Sequence, residues 1–386
     1  MKKTLLISEI FPPIHGGSGR WFWELYSRLP KEQYFIAAGL SDGHSEYDKQ
    51  HDLNVTRLPL SSPAWGIKSL TGLSFYWKNF LKIRSLVKKN CIHQIHCGRC
   101  LPEGVFGYLM KKLYNIPYLC YIHGEDVEAA SSSRELSYIV KKVLDNASRL
   151  ITNSKNSQRI LINHWKVNPD KTVVLNPGMD SKRFIPARYN LETRKKLGWD
   201  NRSVVLTVGR LQKRKGQDML IQALLRIKKD IPDILYAIIG GGEEKEHLQT
   251  LVEKLNLKEN VQFCSEISDE EMIQCYQQCT LFALPNRTIG KDIEGFGMVL
   301  AEAQSCGRPV LAGDSGGTVE TMIIGETGYI VDCTSSEILA KKIIALLKEP
   351  DLLSAMGQKA RKHAEETLDW DVHTQKAIKI FNSISQ

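Results

Sequence analysis

The chain has 386 residues, of which 42% are hydrophobic and 25% are charged. This composition excludes collagen-like and disordered classes, and the length suits two globular domains. The formal net charge of +9 is concentrated in residues 1–175, which carry 24 Lys and Arg against 14 Asp and Glu.

The N-terminus, the apolar runs and the cysteines bear on the compartment of the protein and on whether it binds a metal. The N-terminal MKKTLLISEIF begins like a signal peptide, but Glu9 interrupts its apolar run, so a buried first strand is predicted. No apolar run approaches the ~18 residues of a membrane span. Nine cysteines without regular spacing favour reduced thiols and a cytoplasmic location. In CIHQIHCGRC, Ile92, Gln94 and His96 alternate with Cys91, His93, Ile95 and Cys97, which predicts a strand. Alternate residues of a strand point to opposite faces, so one ion could not collect all the Cys and His residues, and a zinc site is not favoured.

Short apolar runs alternate with longer helical patterns, which is typical of parallel α/β sheets. In the first half the predicted strands are Thr4–Ser8, Tyr34–Ala38, Ile92–Cys97, Tyr118–His123, Leu150–Asn153 and Thr172–Leu175. In the second half they are Ser203–Val208, Ile234–Ile239, Val261–Phe263, Leu281–Leu284 and Pro309–Ala312. Each set is expected to build its own doubly wound sheet.

The domain boundary is predicted within residues 176–190, NPGMDSKRFIPARYN, where Pro and Gly interrupt the periodicity. We therefore assign residues 1–180 to a first domain and residues 181–369 to a second. The final segment, residues 370–386, has a helical pattern that Asp369 can cap, and it is expected to return to the first domain. Its D-W-D also matches a metal-binding D-x-D, but a helix start is a poor place for such a site.

The first predicted strand leads into FPPIHGGSGRWFWELYSRL, a glycine-containing loop followed by a helix. Glycine lets backbone N–H groups approach a ligand closely, and a helix N-terminus favours an anion. Gly16 and Gly17 are therefore candidate ligand contacts, although a plain tight turn fits the pattern equally well. The segment is not G-x-G-x-x-G, so the dinucleotide-binding pattern of a nicotinamide oxidoreductase is absent.

A basic segment in the first half suggests a partner surface. Arg57 to Lys89 together with Arg99 supply eight basic residues and no acidic one. Aromatic residues are interleaved, namely Trp65, Phe75, Tyr76, Trp77 and Phe80. This pattern suits peripheral contact with an anionic membrane, and it suits a solvated helix with core aromatics equally well. No nucleic-acid-binding module is recognisable, so nucleic acid is not expected as a partner.

The second domain opens with SVVLTVGRLQKRKGQD, which places Arg210 just beyond a predicted strand and Lys215 five residues later. Cations at the carboxyl end of parallel strands face the ligand crevice, where two of them would neutralise a diphosphate. A basic surface loop is the simpler alternative.

Two carboxylates flank a glycine turn in IEGFGMVLAEAQ. Glu294 precedes Gly295, Phe296 and Gly297, and a helix predicted to begin near Phe296 to Met298 carries Glu302. Eight residues separate the two acids by ~10 Å on a helical rise, about the span from a sugar ring across a diphosphate to a ribose. Each carboxylate can accept hydrogen bonds from two vicinal hydroxyl groups. The amides of the glycine turn and of the helix N-terminus would hold the phosphates between the two carboxylates.

Together these segments resemble the retaining glycosyltransferases of family 4, which have the two-domain GT-B fold. The resembling elements occur in the family's order: FPPIHGGSG, YIHGED, LNPGMDSKRF, VGRLQKRKGQD, IIGGGEEKEHL and EGFGMVLAE. The resemblance covers nearly the whole chain. It implies an α/β fold in which two doubly wound, Rossmann-like domains face each other across a cleft.

The resemblance also implies roles for individual residues. Arg210 and Lys215 would bind the diphosphate in place of a metal or other cofactor. Glu294 would hold donor-sugar hydroxyls and Glu302 the ribose. His123 would reach the donor sugar near the reacting carbon. Further donor contacts would come from Gly16, Gly17, Gly295, Phe296, Gly297 and Met298.

The implied activity is retaining, metal-independent transfer of a hexose-type sugar from a nucleoside-diphosphate sugar to a glycan or lipid-linked acceptor, forming an α linkage at the cytoplasmic face of the cell membrane. Cell-envelope polysaccharide, lipopolysaccharide or glycolipid assembly would be the setting. A nucleotide-sugar epimerase of the same fold, or a non-catalytic sugar-nucleotide-binding subunit, are the alternatives. One departure from the family is Asn286 in LPNRT, where L-P-S is commoner; the asparagine is expected to do the same backbone work.

Overall fold

The computed structural model consists of two compact units that are described separately. One contains the residues up to Pro177 together with those from His373 onward, and the other is Gly178–Val372. The residues that the structure describes are 2–14, 16–62, 65–265, 267–290 and 292–384.

The N-terminal unit is built on a parallel seven-stranded sheet with the order β3-β2-β1-β4-β5-β6-β7. Its strands are β1 (Thr4–Ser8), β2 (Tyr34–Gly39), β3 (Val55–Leu58), β4 (Gln94–Cys97), β5 (Tyr118–Ile122), β6 (Arg149–Thr152) and β7 (Thr172–Val174). Its helices are α1 (Gly17–Tyr26), α2 (His44–Gln50), α3 (Leu70–Lys89), α4 (Glu103–Tyr114), α5 (Glu125–Ala130), α6 (Arg134–Asn146) and α7 (Lys155–Asn163). A 3₁₀ turn at Pro169–Lys171 precedes the last strand.

The C-terminal unit is built on a parallel six-stranded sheet with the order β10-β9-β8-β11-β12-β13. Its strands are β8 (Val204–Val208), β9 (Leu235–Ile239), β10 (Val261–Cys264), β11 (Leu281–Leu284), β12 (Val310–Gly313) and β13 (Gly328–Val331). Its helices are α8 (Leu191–Lys196), α9 (Gln217–Asp230), α10 (Lys245–Lys254), α11 (Asp269–Gln278), α12 (Met298–Ser305), α13 (Ser336–Leu347) and α14 (Pro350–His363). The last helix, α15 (Trp370–Asn382), crosses the division between the units.

Both sheets follow the doubly wound pattern that the alternation of strands and helices predicts, which confirms the fold class. Buried side chains occupy both faces of the central strands: all five residues of β1, β5, β8 and β9 are buried. This burial explains why those strands appear in the sequence as continuous apolar runs, because helices cover both sides of a parallel sheet. Two edge strands, β3 and β13, were not predicted.

The start of α15 has the cap that the sequence predicted. The carboxylate of Asp369 accepts the backbone N–H groups of Asp371 at 2.7 Å and Ser181 at 3.1 Å. Asp371 forms an ion pair with Lys182 at 3.0 Å. Both acids of the D-W-D segment therefore have structural partners, which accounts for the motif as a helix start.

No helix within the described residues is both long and apolar enough to cross a bilayer. The nine cysteines are free thiols, and all but Cys91 and Cys264 are buried. Among the described residues there is no cluster of three or more His, Cys, Asp or Glu side chains placed to hold a metal ion.

Candidate active site

The candidate site of the C-terminal unit lies at the carboxyl ends of β8 and β11, which are neighbours in the sheet. The strand order reverses between them, since β9 and β10 lie on one side and β12 and β13 on the other. Ligands of open α/β sheets bind at such a reversal, outside the carboxyl ends of the strands. The predicted segments 209–216 and 285–297 follow these two strands.

Close backbone packing fixes the loop after β8. Gly216 has φ +72°, and a Cβ atom at this position would lie 1.8 Å from the carbonyl oxygen of Pro285. The N–H of Arg287 donates to the carbonyl of Arg214 at 2.8 Å. Only glycine allows this approach, so the two loops are held against each other. The 3₁₀ turn Lys213–Lys215 between them presents two cations to the loop after β11.

The Glu294 carboxylate receives both of these cations. Its Oε2 lies 2.6 Å from Lys215 Nζ and 2.5 Å from the Arg214 guanidinium. Lys215 and Glu294 are each only 8% exposed. Arg214 also contacts Asp292 at 3.0 Å. The structure thus brings together two of the predicted residues, Lys215 and Glu294, and adds Arg214, which the sequence reasoning missed.

The two cations determine the charge state of the acid. Burial alone would raise the pKa of the Glu294 carboxyl, but Lys215 and Arg214 outweigh it and hold the pKa below its ordinary value. Glu294 is therefore an anion at neutral pH. A carboxylate fixed in this way accepts hydrogen bonds and does not donate a proton.

Arg210 lies on the same loop, immediately after Gly209, and its side chain is exposed. Within the described part of the chain, the ion pairs of this loop involve Arg214 and Lys215 and not Arg210. Its backbone carbonyl accepts the Gln217 side chain at 3.1 Å, which anchors the loop to the first turn of α9. The exposed Arg210 guanidinium is therefore available to a ligand.

The turn that follows Glu294 leads directly into α12. Gly297 has φ +92° and α12 begins at Met298, so the first N–H groups of the helix have no intrahelical acceptor. Gly295 is half-buried and Phe296 is buried beneath the turn. The carbonyl of Glu294 accepts the N–H of Gly317 at 2.9 Å, which fixes the turn from the other side.

Glu302 occupies the middle of α12 and is 1% exposed. Its Oε2 accepts the hydroxyl of Tyr276 at 2.7 Å. The Tyr276 ring packs edge-on against Phe184 and at an angle to Phe282. The tyrosine from α11 therefore fixes the orientation of this carboxylate, a contact that the sequence pattern did not indicate.

Asn286 joins the ends of β11 and β12. Its side chain accepts the N–H of Gly313 at 3.0 Å and donates to the carbonyl of Ser315 at 3.2 Å. Next to it, Arg287 forms a two-pronged ion pair with Asp218 of α9 at 2.8 Å. These contacts position the loop that carries Glu294.

The N-terminal unit places His123 at the end of β5. The ring Nε2 donates to the carbonyl of Gly98 at 2.9 Å, and the backbone N–H donates to Asp126 at 3.1 Å. Trp21 and Phe22 of α1 contact the ring edge-on, with centroids 5.7 and 6.0 Å away. Because Nε2 carries the proton in the neutral ring, Nδ1 retains the lone pair and can accept a ligand hydroxyl.

The glycine loop after β1 ends at α1. Among the described residues, a Cβ atom at Gly16 would touch Ile10, at 3.4 Å, and one at Gly17 would meet nothing within 4 Å. The described packing therefore does not itself demand glycine at position 17. The preceding His15 lies outside the described residues.

A partly buried ion cluster that the sequence did not reveal lies between β1 and β4, where the strand order of this sheet reverses. Arg99 is 2.7 Å from Glu9 and 3.8 Å from Glu103. Glu103 is fully buried and accepts the N–H of Glu9 at 2.8 Å. Burial raises the pKa of Glu103 to about 7, against the opposing influence of Arg99.

Comparisons with known sequences agree with this arrangement. Residues 190–363 match the family described as glycosyl transferases group 1, and residues 15–183 match glycosyltransferase family 4. A GDP-mannose-dependent alpha-(1-6)-phosphatidylinositol monomannoside mannosyltransferase of Mycolicibacterium smegmatis is 30% identical over 95% of this chain and 94% of its own length. A GDP-mannose-dependent monoacylated alpha-(1-6)-phosphatidylinositol monomannoside mannosyltransferase of Corynebacterium glutamicum is 29% identical over 99% and 98%.

Solved structures show the same fold. Anabaena HepE in complex with UDP has a TM-score of 0.83 at 20% identity, covering 99% of this chain and all of that one. WaaG, a glycosyltransferase involved in lipopolysaccharide biosynthesis, has a TM-score of 0.72 at 18% identity, covering 98% of this chain and all of that one. Likenesses at this identity establish the GT-B fold.

Proposed function

Because the chain belongs to glycosyltransferase family 4, we propose that it is a retaining mannosyltransferase that uses GDP-mannose and a glycolipid acceptor at a membrane surface. That the protein is a glycosyltransferase follows from the family. The donor and the acceptor class are inferred from the two mannosyltransferases that are 29–30% identical over nearly the full chain.

The observation that carries the proposal is the grouping of Lys215, Arg214 and Glu294 beside the exposed Arg210. In this proposal Arg210 and Lys215 bind the diphosphate. Glu294, kept ionised by its two cations, accepts hydroxyl groups of the donor sugar. The amides of residues 295–298 at the start of α12 add hydrogen bonds to the phosphate oxygens.

The charges are placed to stabilise the leaving group. As the bond from the anomeric carbon to the diphosphate breaks, its electron pair moves to the phosphate oxygen, and fixed cations lower the energy of that developing charge. The acceptor oxygen then bonds to the anomeric carbon from the same face, and its proton passes to the released phosphate. This sequence retains the configuration, gives an α linkage and requires neither a protein nucleophile nor a divalent metal.

The remaining predicted residues fit supporting roles in the proposal. Glu302, oriented by Tyr276, accepts ribose hydroxyls. Gly16 and Gly17 leave room beside α1 for a phosphate or a sugar. His123 presents its Nδ1 lone pair to a hydroxyl of the donor sugar near the reacting carbon, because its Nε2 is committed to Gly98.

The outer face of α3 supports the membrane part of the proposal. Four apolar side chains of this helix remain exposed at helical spacing: Leu70 (87%), Leu73 (54%), Trp77 (61%) and Leu81 (42%). Lys78 and Lys82 are exposed next to this stripe. The opposite face of α3 packs Tyr76, Phe80 and Ile83 into the core. An apolar stripe bordered by lysines suits the boundary between headgroups and acyl chains.

The aromatic residues and the basic charges of the segment predicted from the sequence therefore have different roles. Most of its aromatic residues belong to the core, as the simpler interpretation expected, and only Trp77 is exposed. The charge still favours an anionic surface, since no acidic residue occurs between Asp52 and Glu103. Each Lys or Arg near such a surface contributes about 1 kcal/mol of attraction.

A transfer assay tests the proposal. The protein is incubated in EDTA with radiolabelled GDP-mannose or UDP-glucose and vesicles containing a phosphatidylinositol mannoside, and lipid-extractable label is measured. We expect label from GDP-mannose that α-mannosidase removes. Label from UDP-glucose alone would overturn the donor, resistance to α-mannosidase would overturn retention, and dependence on added metal would overturn the metal-independent mechanism.

A further inference from the structure

The C-terminal unit contains a second concave site at the opposite end of its sheet. A cavity of about 660 Å³ is lined by Ser203, Thr280 and Pro309, which directly precede β8, β11 and β12. Lys215 and Glu294 follow the other ends of these strands. Five residues of β8 at ~3.3 Å each place the two sites roughly 16 Å apart, so the cavity is separate from the candidate active site.

The lining of this cavity is strongly basic. Arg194, Arg202, Arg308 and Arg361 contribute to it, and among the described residues no Asp or Glu lines it. In the part of the chain that the structure describes, only Arg361 has a carboxylate within ion-pair distance, Glu365 at 2.6 Å. The other three guanidiniums have no carboxylate within ion-pair distance among the described residues. A concave wall that carries one sign of charge concentrates the field on ligands of the opposite sign.

Two of these three arginines are held in place by the backbone. Arg194 is 3% exposed and donates to the carbonyls of Asp200, Gln278 and Arg202. Arg202 donates to the carbonyls of Asp233, Ile234 and Glu259. Their charge is therefore fixed at the cavity, although several of their donors are occupied by backbone carbonyls.

Arg308 differs because most of its donors are unused. Its Nε is buried without a hydrogen-bond acceptor among the described residues, and its one hydrogen bond there is long, 3.4 Å to the carbonyl of Ala187. A buried donor without an acceptor costs free energy, and a bound ligand is one explanation for it. The N–H donors of a guanidinium lie in one plane and are suited to bidentate contact with a phosphate.

We propose that this cavity binds a phosphate-bearing small molecule through Arg308, in the field of Arg194 and Arg202. The volume lies within the roughly 300–1,000 Å³ typical of small-molecule sites. Tyr189, Ser354 and Gln358 also line the cavity and supply polar groups for the rest of such a molecule. The ligand is thus a phosphorylated metabolite, with free phosphate as the simplest source of the same chemistry.

Thermal unfolding at constant ionic strength tests the proposal, with inorganic phosphate, glucose 6-phosphate and chloride compared for four variants. Arg308→Gln removes the open donors, and Ser354→Trp fills the mouth of the cavity from an exposed helical position. Lys215→Ala removes a phosphate contact of the active site. Arg226→Gln is the control, since Arg226 is exposed and pairs with Glu337 outside the cavity.

We expect a saturable rise of roughly 5–10 °C at a hundredfold excess over Kd in the wild type, Lys215→Ala and Arg226→Gln, and none in Arg308→Gln or Ser354→Trp. If Arg308→Gln fails to fold, Ser354→Trp alone decides. A larger rise with glucose 6-phosphate supports a metabolite, and an equal rise supports free phosphate. A rise lost in Lys215→Ala but kept in Arg308→Gln, or no rise in the wild type, overturns the proposal.

Discussion

The two units place opposite arrangements of charge at corresponding positions of similarly wound sheets. Where the strand order reverses in the N-terminal unit, Arg99 lies between two acids, Glu9 at 2.7 Å and Glu103 at 3.8 Å. At the equivalent reversal in the C-terminal unit, Glu294 lies between two cations, Lys215 at 2.6 Å and Arg214 at 2.5 Å.

We call these two positions, at the reversal of strand order in each unit, the C-terminal edge and the N-terminal edge. Their different charges determine what each can bind. The C-terminal edge has further exposed cations nearby, Arg210 and Lys213, so it retains positive charge for an anionic ligand. The N-terminal edge has its single arginine shared between carboxylates, which leaves no cation of this cluster for a phosphate. We therefore expect charge changes at the C-terminal edge to act on catalysis and those at the N-terminal edge to act on stability.

The largest expected effect is that of Lys215→Ala. Removing a preorganised cation from the leaving group lowers kcat/KM by about 10²–10³-fold. The control is Lys229→Ala, at the exposed far end of α9, which should leave turnover unchanged. Initial rates with GDP-mannose measure both. Equal activity of the two variants would remove Lys215 from the diphosphate site.

Arg99→Gln should have the next largest effect. This effect should be a loss of folding stability. It leaves Glu9 and Glu103 without their cation in a mostly buried place, at a cost of about 3 kcal/mol. Denaturant unfolding of the N-terminal unit measures the loss, and titration with GDP measures donor affinity in the same preparation. A loss of GDP affinity at unchanged stability would contradict the distinction between the two edges.

Glu103→Gln should change how stability depends on pH. Since the folded-state pKa is about 7 and the ordinary value is 4.5, the native state binds the extra proton between these pH values, and stability falls as pH rises through that window. The glutamine variant has no such proton, so its slope should be flatter by on the order of 2–3 kcal/mol across the window. Melting curves from pH 4.5 to 8 measure this, and parallel slopes would refute it.

The smallest expected effect is at the surface of α3. Trp77→Ser should weaken partitioning onto anionic vesicles by about tenfold, since the ring contributes apolar burial at the interface. Tyr138→Ser is the matched control, because Tyr138 is similarly exposed, at 63%, on α6 of the same unit. Sedimentation with anionic and neutral vesicles compares them. Equal losses of binding in both variants, or equal binding to anionic and neutral vesicles, would contradict a specific role of α3 at an anionic membrane.

How much the sequence predicted depends on whether a feature is local. β1 and β11 begin and end where predicted, because buried parallel strands form continuous apolar runs. The short edge strands β3 and β13 were missed, since partial burial gives them a mixed pattern. The cap by Asp369 was predicted from its position before a helical pattern, and the structure confirms it.

The candidate site shows the same limit. Lys215 and Glu294 were singled out because motif spacing marks them, but nothing in the sequence showed that they contact each other. Arg214 looks like a surface residue within K-R-K, and only the turn at Gly216 brings it to Glu294. Glu103 was missed because its environment depends on a contact with Glu9, which is distant in the chain. Its nearby partner, Arg99, belongs to no motif that would mark the pair.

Binding of a nucleoside diphosphate at the C-terminal edge can be measured with a metal-free thermal-shift panel of GDP, UDP, ADP, CDP and NAD at one concentration. A ligand that binds only the folded state raises its melting temperature. We expect a clear rise in melting temperature with GDP that Lys215→Ala abolishes, and none with NAD. A rise with NAD alone, or a GDP response unchanged in Lys215→Ala, would contradict this expectation.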